Sequence, residues 1–362
     1  MQTHNSSLNR RHFVQSLALA GTASALGLPS TMQGQTSSSE RKTKLGLDNF
    51  AVRDMKWKAP QLIDYAASLK TDSLFITDFG PFESLDDKYL KEIRAKAEDK
   101  GLQIQLGSWS ICPTSKTFKK DWGTAEEHLT LGLRVAKALG SPVFRVVLGN
   151  GDDRRSDGGI EARIEDTVKV CKACRSRALD AGVKIAVENH AGDMQAWELV
   201  TLIEAAGKDY VGANMDSGNA TWTMEDPLAS LEILAPYVVT TSLRDSAVWE
   251  SENGATVQWT AMGDGTIDLN AYFAKFAALC PGVSVHIETI SGFNREIPYL
   301  KEDFWKVWPK ARAKDFARFL ALVKKGKPRE PRRGSNPQEF QKAEIEKSIK
   351  YCKESLRLGL KA

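Results

Sequence analysis

The chain has 362 residues, 42% of them apolar and 27% charged, with a net charge of +4 at pH 7. That composition is ordinary for a soluble globular protein, and the small, dispersed charge makes no case for nucleic acid as a partner. Five cysteines at scattered positions, Cys112, Cys171, Cys174, Cys280 and Cys352, exclude a disulfide framework.

In chain order, Asn9-Arg10-Arg11-His12-Phe13-Val14 comes first and precedes a modest, Ala/Gly-rich apolar run from Ser16 to Leu28. Twin arginines before such a run look like a twin-arginine export signal, and the run is too short and too weakly apolar for a good membrane span. Ala23-Ser24-Ala25 offers a small-residue cleavage site. Residues 1–43 are therefore read as a signal and a polar linker. The protein is expected in the periplasm, or tethered to the membrane and facing it. No integral membrane domain is expected. Export after folding reconciles that location with unpaired cysteines.

From Lys44 the hydrophobic pattern alternates. Short apolar runs predict strands near 44–50, 73–79, 103–110, 142–149, 184–189, 211–216, 238–244 and 283–289. Amphipathic segments near 59–70, 86–100, 124–139, 160–181, 195–206, 226–236, 268–279 and 303–325 predict helices between and after them. Eight strand–helix pairs between residues 44 and 325 are the signature of a (β/α)₈ TIM barrel. Gly101, Gly140 and Gly182 each end a helix just before a strand. The loops after the strands are longer and polar, notably 149–159 and 245–266. Cys171-Lys-Ala-Cys174 falls in a helical pattern and reads as packing thiols. Residues 326–362 form a basic, Pro-rich connector and a last helix with Ile345, Ile349 and Leu356 on a weak apolar stripe. This helix is expected outside the barrel or at an interface of a homo-oligomer.

The chemistry centres on Lys184-Ile-Ala-Val-Glu188-Asn189-His190, an apolar strand that ends in an acid, an amide and an imidazole. Polar groups at the end of a buried strand are costly unless they are paired or bind something. Strand parity extends the set. Ser284, His286 and Glu288 share one face of the last strand, Thr240, Ser242 and Arg244 one face of the seventh, and Arg145 lies on the fourth. If these faces point inward, Arg145, Glu188, Asp216, Arg244, His286 and Glu288 converge at the carboxyl ends of the strands. Three carboxylates in one small volume repel unless a cation neutralises them. Oxygen ligands suit Mn²⁺ or Mg²⁺, and a histidine ligand would shift the choice toward Zn²⁺ or Fe²⁺. Aromatic faces are platforms for ligand rings, and of the tryptophans near strand ends Trp109 and Trp222 are the candidates for ligand contact.

Several short stretches now line up: Val187-Glu188-Asn189-His190, Asn214-Met-Asp216-Ser-Gly-Asn219, Ser242-Leu-Arg244-Asp245, Gly263-Asp-Gly-Thr-Ile-Asp268 and His286-Ile-Glu288. In order and spacing they resemble the xylose isomerase-like TIM barrels, the sugar phosphate isomerase/epimerase superfamily. The resemblance implies one divalent metal (Mn, Mg, Zn, Fe or Co) on Glu188, Asp216 and Glu288. It implies that Glu188 and Glu288 are the acid/base pair that works through an enediolate, and that His190 and Arg244 touch substrate oxygens. Arg145, at the same strand ends, is placed with the substrate-binding residues. The chain departs from the pattern at Ser242, which stands where the family carries a metal-binding histidine. A water could fill that position, or His286 could supply the nitrogen from the next strand; an interior histidine satisfied by its neighbours is the other reading of His286.

The expected activity is that of a metal-dependent isomerase or epimerase on an unphosphorylated keto- or aldo-sugar. A lyase or hydrolase of 3-keto-glycosides on the same site is the alternative within enzymes. A non-catalytic sugar-binding protein on a degenerate barrel is the alternative outside them.

Overall fold

A computed structural model describes residues 43–332 and 334–361. The export signal and linker expected over residues 1–43 lie, but for Thr43, outside them. Seven parallel strands come first: β1 (Leu45–Asp48), β2 (Ser73–Ile76), β3 (Gln103–Ser110), β4 (Val143–Val147), β5 (Lys184–Glu188), β6 (Val211–Met215) and β7 (Val238–Thr241). An antiparallel hairpin follows, β8 (Asp245–Ser251) and β9 (Gly254–Thr260). Then β10 (Val285–Ile287) returns to the large sheet and β11 (Asn294–Ile297) pairs with β9.

The large sheet runs β10-β1-β2-β3-β4-β5-β6-β7, with every pair parallel. A parallel bridge from Leu243 to Ile287 brings its two edges together. The eight strands form a nearly closed TIM barrel, as the repeated strand–helix pattern predicts. Strands β1, β2, β4 and β6 are buried at every residue. A strand covered on both faces needs such near-continuous apolar runs. The helices start and stop where local chemistry directs. Thr124 and Glu127 form a capping box ahead of helix Ala125–Leu139, and Gly140 ends it in the left-handed region at φ 71°. No helix among the described residues is long and apolar enough to cross a membrane.

The structure corrects the predicted elements at four places. The stretch 245–266, expected as a loop, holds the β8–β9 hairpin. Its signal was alternating apolar residues around a two-residue turn at Glu252-Asn253 followed by Gly254. The helix expected over 303–325 is two pieces, Glu302–Trp305 and Ala313–Val323, with Pro309 in the break. The helix expected over 226–236 ends at Leu234, just before Pro236. The helix expected over 160–181 breaks at Cys174. Cys171 and Cys174 are free and buried, in keeping with packing thiols. The last helix, Pro337–Glu354, packs against the protein's own core. Ile345, Ile349 and Cys352 are buried in it, and Ser348 Oγ accepts from the Met262 amide.

Two positions in the barrel wall make testable points about packing. A Cβ on Gly132, in helix Ala125–Leu139, would lie 2.0 Å from the ring of Phe144, which is fully buried. Gly132→Ala is expected to lower stability by about 1–3 kcal/mol despite its better helix propensity, read from the urea midpoint. His128, on the same helix, is buried with Nε2 at 2.7 Å from Ser108 Oγ. Burial lowers its pKa to about 4, so the unfolded chain takes up a proton that the folded one refuses. Stability is therefore lost as pH falls from about 6.5 toward 4, by about 3 kcal/mol at most for this residue. His128→Leu should flatten that part of a stability–pH profile; an unchanged slope would exclude the assignment.

Candidate active site

The carboxyl ends of the barrel strands surround a cavity of about 180 Å³, lined by Trp109, Arg145, Glu188, His190, Arg244 and Glu288 among others. This is the end of the sheet where strand-borne ligands are held in α/β barrels. The volume is below the roughly 300–1,000 Å³ of sites for drug-sized ligands, so the cavity suits a small molecule.

Glu188 and Glu288 line the cavity, Asp216 is buried beside them, and one oxygen from each of the three lies within 4.8 Å of the others. Strand parity accounts for this: Glu188 follows Ala186 inward on β5, Asp216 follows Asn214 at the end of β6, and Glu288 follows His286 past β10. Each carboxylate is held. Arg145 Nε donates to Glu188 Oε2 at 2.5 Å, while its Nη1 donates to the Ser108 carbonyl at 2.9 Å. Asn214 Nδ2 donates to Glu188 Oε2 at 2.7 Å and Asn219 Nδ2 to Oε1 at 3.2 Å. Asp216 Oδ1 accepts from the amides of Gly218 and Asn219 at 2.7 and 3.0 Å and so caps the short helix Ser217–Trp222. Arg244 Nη2 donates both to Asp216 Oδ2 and to Glu288 Oε2.

A fourth buried carboxylate, Asp48 at the end of β1, accepts from Ser242 Oγ at 2.9 Å. Sequence reasoning missed Asp48, although it ends its strand as Glu188 ends β5. It also gave no role to Asn214 and Asn219, which lie inside a stretch already singled out.

The electrostatics separate the acids. Burial opposes ionisation of Glu188, but the adjacent Arg145, together with Arg244, holds it below the usual carboxylate range. Burial raises Glu288, with Glu188 adding to the rise against Arg244. Burial likewise pushes Asp216 up to about 8, against the pull of Arg244, and raises Asp48 with a contribution from Glu288. Two carboxylates whose environments drive them apart are the arrangement from which acid and base roles arise.

Of the other predicted residues, Trp109 and His190 meet edge to face, with ring centroids 5.4 Å apart, on the cavity wall. His190 Nδ1 lies 2.6 Å from the Gly149 carbonyl, which only accepts. The proton is therefore on Nδ1, and Nε2 is the ring nitrogen left to accept. Burial lowers the His190 pKa and favours the neutral ring.

Trp222 lines the cavity, but not as a free stacking face. Trp259 stacks on one side at 3.9 Å with the planes 8° apart, and the Arg295 guanidinium lies 3.8 Å from its ring centroid. His286 is not brought to the carboxylate group. Its Nε2 is 2.9 Å from Ser73 Oγ, and it sits where Gly46 has no side chain, since a Cβ there would be 2.3 Å from the imidazole. The interior reading of His286 is the one this geometry matches. Ser242 carries no imidazole to the cluster and spends its hydroxyl on Asp48.

The donor set still fits a hard divalent ion. Asp48, Glu188, Asp216 and Glu288 face two buried guanidiniums, Arg145 and Arg244, and with all four acids ionised the two negative charges left over would match one such ion. Asn214 Oδ1 and Asn219 Oδ1, beside the triad, are buried acceptors without a hydrogen-bond partner among the described residues. Carboxylate and amide oxygens suit Mg²⁺ or Mn²⁺ more than they suit softer ions.

The Xylose isomerase-like TIM barrel family matches residues 63–320. Among curated proteins, 3-oxo-isoapionate decarboxylase from Pectobacterium atrosepticum is 22% identical over 198 residues, which are 54% of this chain and 64% of that protein's length. Among solved structures, a xylose isomerase domain protein from Planctomyces limnophilus is 17% identical, with a TM-score of 0.53 and coverage of 78% of this chain and 99% of that one. A D-psicose 3-epimerase solved in the presence of D-fructose is also 17% identical, with a TM-score of 0.53 and coverage of 77% and 97%. The IOLI protein with a bound zinc atom is 15% identical, with a TM-score of 0.55 and coverage of 79% and 100%. At these identities the structures speak to the fold.

Proposed function

This chain belongs to the Xylose isomerase-like TIM barrel family, and on that premise we propose that it is a sugar isomerase or epimerase that moves a proton at a carbon beside a carbonyl. The observation that carries the reading is the pair Glu188 and Glu288, both buried, both on one small cavity, with opposite protonation tendencies. Glu188, held ionised by Arg145, removes the proton. Glu288, whose affinity for a proton burial raises, gives a proton to the enediolate oxygen or to carbon. Return to the neighbouring carbon is isomerisation, and return to the opposite face of the same carbon is epimerisation.

Arg244 Nε is buried without a hydrogen-bond acceptor among the described residues, and we assign it to a substrate oxygen. His190 Nε2 accepts from a substrate hydroxyl. Trp109 and the edge of Trp222 bound the ring and exclude water. Glu188, Asp216 and Glu288 would hold one divalent ion, with the amide oxygens of Asn214 and Asn219 alongside. When bound, such an ion polarises the carbonyl and stabilises the enediolate charge.

A decarboxylase reaches a like enolate by losing CO₂ in place of the proton, and an eliminating lyase forms it by proton loss and then expels a leaving group from the neighbouring carbon. The similarity to 3-oxo-isoapionate decarboxylase supports that as the second reading.

The test is solvent exchange. The protein is incubated in D₂O with Mn²⁺ or Mg²⁺ and a panel of unphosphorylated ketoses, aldoses, keto-acids and 3-keto-glycosides, followed by NMR. Deuterium at a carbon adjacent to a carbonyl is the expected result. Consumption without deuterium in recovered substrate favours elimination or decarboxylation. Sugar binding with no exchange and no turnover on any member would overturn the enzyme reading in favour of a binding protein. The export route and periplasmic location remain part of the proposal. A fusion of residues 1–43 to a reporter should reach the periplasm, and Arg10→Lys with Arg11→Lys should stop it.

A further inference from the structure

The carboxylate triad already touches a cation. Arg244 Nη2 donates to Asp216 Oδ2 and to Glu288 Oε2, two of the three ligands assigned above. Three surroundings build the guanidinium into that place. Its carbon lies 4.2 Å from the ring centroid of Trp259, whose other face carries Trp222 at 3.9 Å, and Trp259 Nε1 is tied to the Gly218 carbonyl at 3.0 Å. Gly218 leaves room for the arginine stem, because a Cβ there would come within 2.5 Å of Arg244 Cγ and Cδ. Ser217 Oγ fixes the Arg244 backbone, donating to its carbonyl at 2.6 Å and accepting from its amide at 3.1 Å. At the same time β7 offers Ser242, whose hydroxyl is bonded to Asp48, and no imidazole to hold an ion.

Asp216 Oδ1 is taken by the Gly218 and Asn219 amides and its Oδ2 by Asn219 Nδ2 and Arg244 Nη2, so an ion that draws on Asp216 competes with the guanidinium. We propose that Arg244 is the resident cation of the triad, and that a divalent ion binds only by taking Asp216 and Glu288 from it. The proposal rests on the reading of the triad as a metal site. With Arg145 on Glu188, it leaves each of the three buried acids in contact with a guanidinium when no ion is bound. It also couples two events, since an ion that enters releases the guanidinium, still over Trp259, toward the cavity it lines.

Mn²⁺ affinity, measured by isothermal titration and equilibrium dialysis on the full chain, tests it. Arg244→Met keeps an apolar stem against Trp259 and removes the competitor. It should bind one Mn²⁺ per chain at least tenfold tighter than the unaltered protein. Arg53→Gln removes a positive charge near Glu288 without a bond to the triad, and should change the affinity less than threefold. Arg244→Lys, a point charge that does not bridge both acids, should fall between, and it serves if the Met variant does not fold. Equal affinity of Arg244→Met and the unaltered protein, or as much tightening from Arg53→Gln, would overturn the competition and leave the metal site standing. No Mn²⁺ bound to the unaltered protein or to either Arg244 variant would overturn both the competition and the triad as a metal site.

Discussion

Glu288→Gln is expected to lower kcat by roughly 10²–10⁴-fold, with a smaller change in KM, because an amide occupies the same volume but moves no proton. Glu188→Gln should do the same from the other side. The two variants should differ in a second readout. Without its carboxylate, position 188 leaves Arg145 buried and unpaired, whereas position 288 still leaves Arg244 its contact with Asp216. Solvent exchange at the substrate carbon, which needs only the first proton transfer and its reversal, should be lost in Glu188→Gln and retained in Glu288→Gln. Either variant retaining more than a tenth of the activity would remove that glutamate from the proton path.

Arg145→Met should destabilise the protein by about 3–5 kcal/mol, the cost of leaving a buried carboxylate without its partner. Arg145 and Glu188 expose only 5% and 1% of their side chains, so solvent cannot replace the lost bond. The double change Arg145→Met with Glu188→Gln removes both charges and should recover much of the loss, which a double-mutant cycle would measure. A near-zero effect of the single change would mean that Glu188 accepts a proton at little cost. It would then not be the ionised base that the proposed mechanism needs. An ion pair on the surface, such as Arg94–Glu98, is the useful contrast: both partners are about half exposed, and its removal should cost under about 1 kcal/mol.

The barrel was legible in the sequence because its signals are local and repeated. Each strand is a short apolar run, each helix an amphipathic one, and Gly140 and Gly182 mark joints that need a left-handed residue. The face and the end at which Glu188, Asp216, Arg244 and Glu288 sit were legible too, because side chains alternate along a strand. The β8–β9 hairpin was readable in principle from its alternation and its turn at Glu252-Asn253, but the polar residues around it matched the expected long loop.

Partnerships were not legible. Ser242 bonds to Asp48 across 194 positions of sequence, and His286 finds Ser73 across 213, because rolling up the sheet turns these side chains into one interior, where each pair meets across an intervening strand. Parity puts Ser242, Arg244, His286 and Glu288 on inward faces, but it does not say how deep each side chain lies or which oxygen it reaches. Those depend on register and on the space left by residues such as Gly46 and Gly218. The same holds for Trp222, whose position near a strand end was clear while the covering of its faces by Trp259 and Arg295 was not. Composition and period determine the barrel and the acids at its mouth. Only the closed barrel decides that Arg244 lies between Asp216 and Glu288, because that contact is set by distances between strands and not along them.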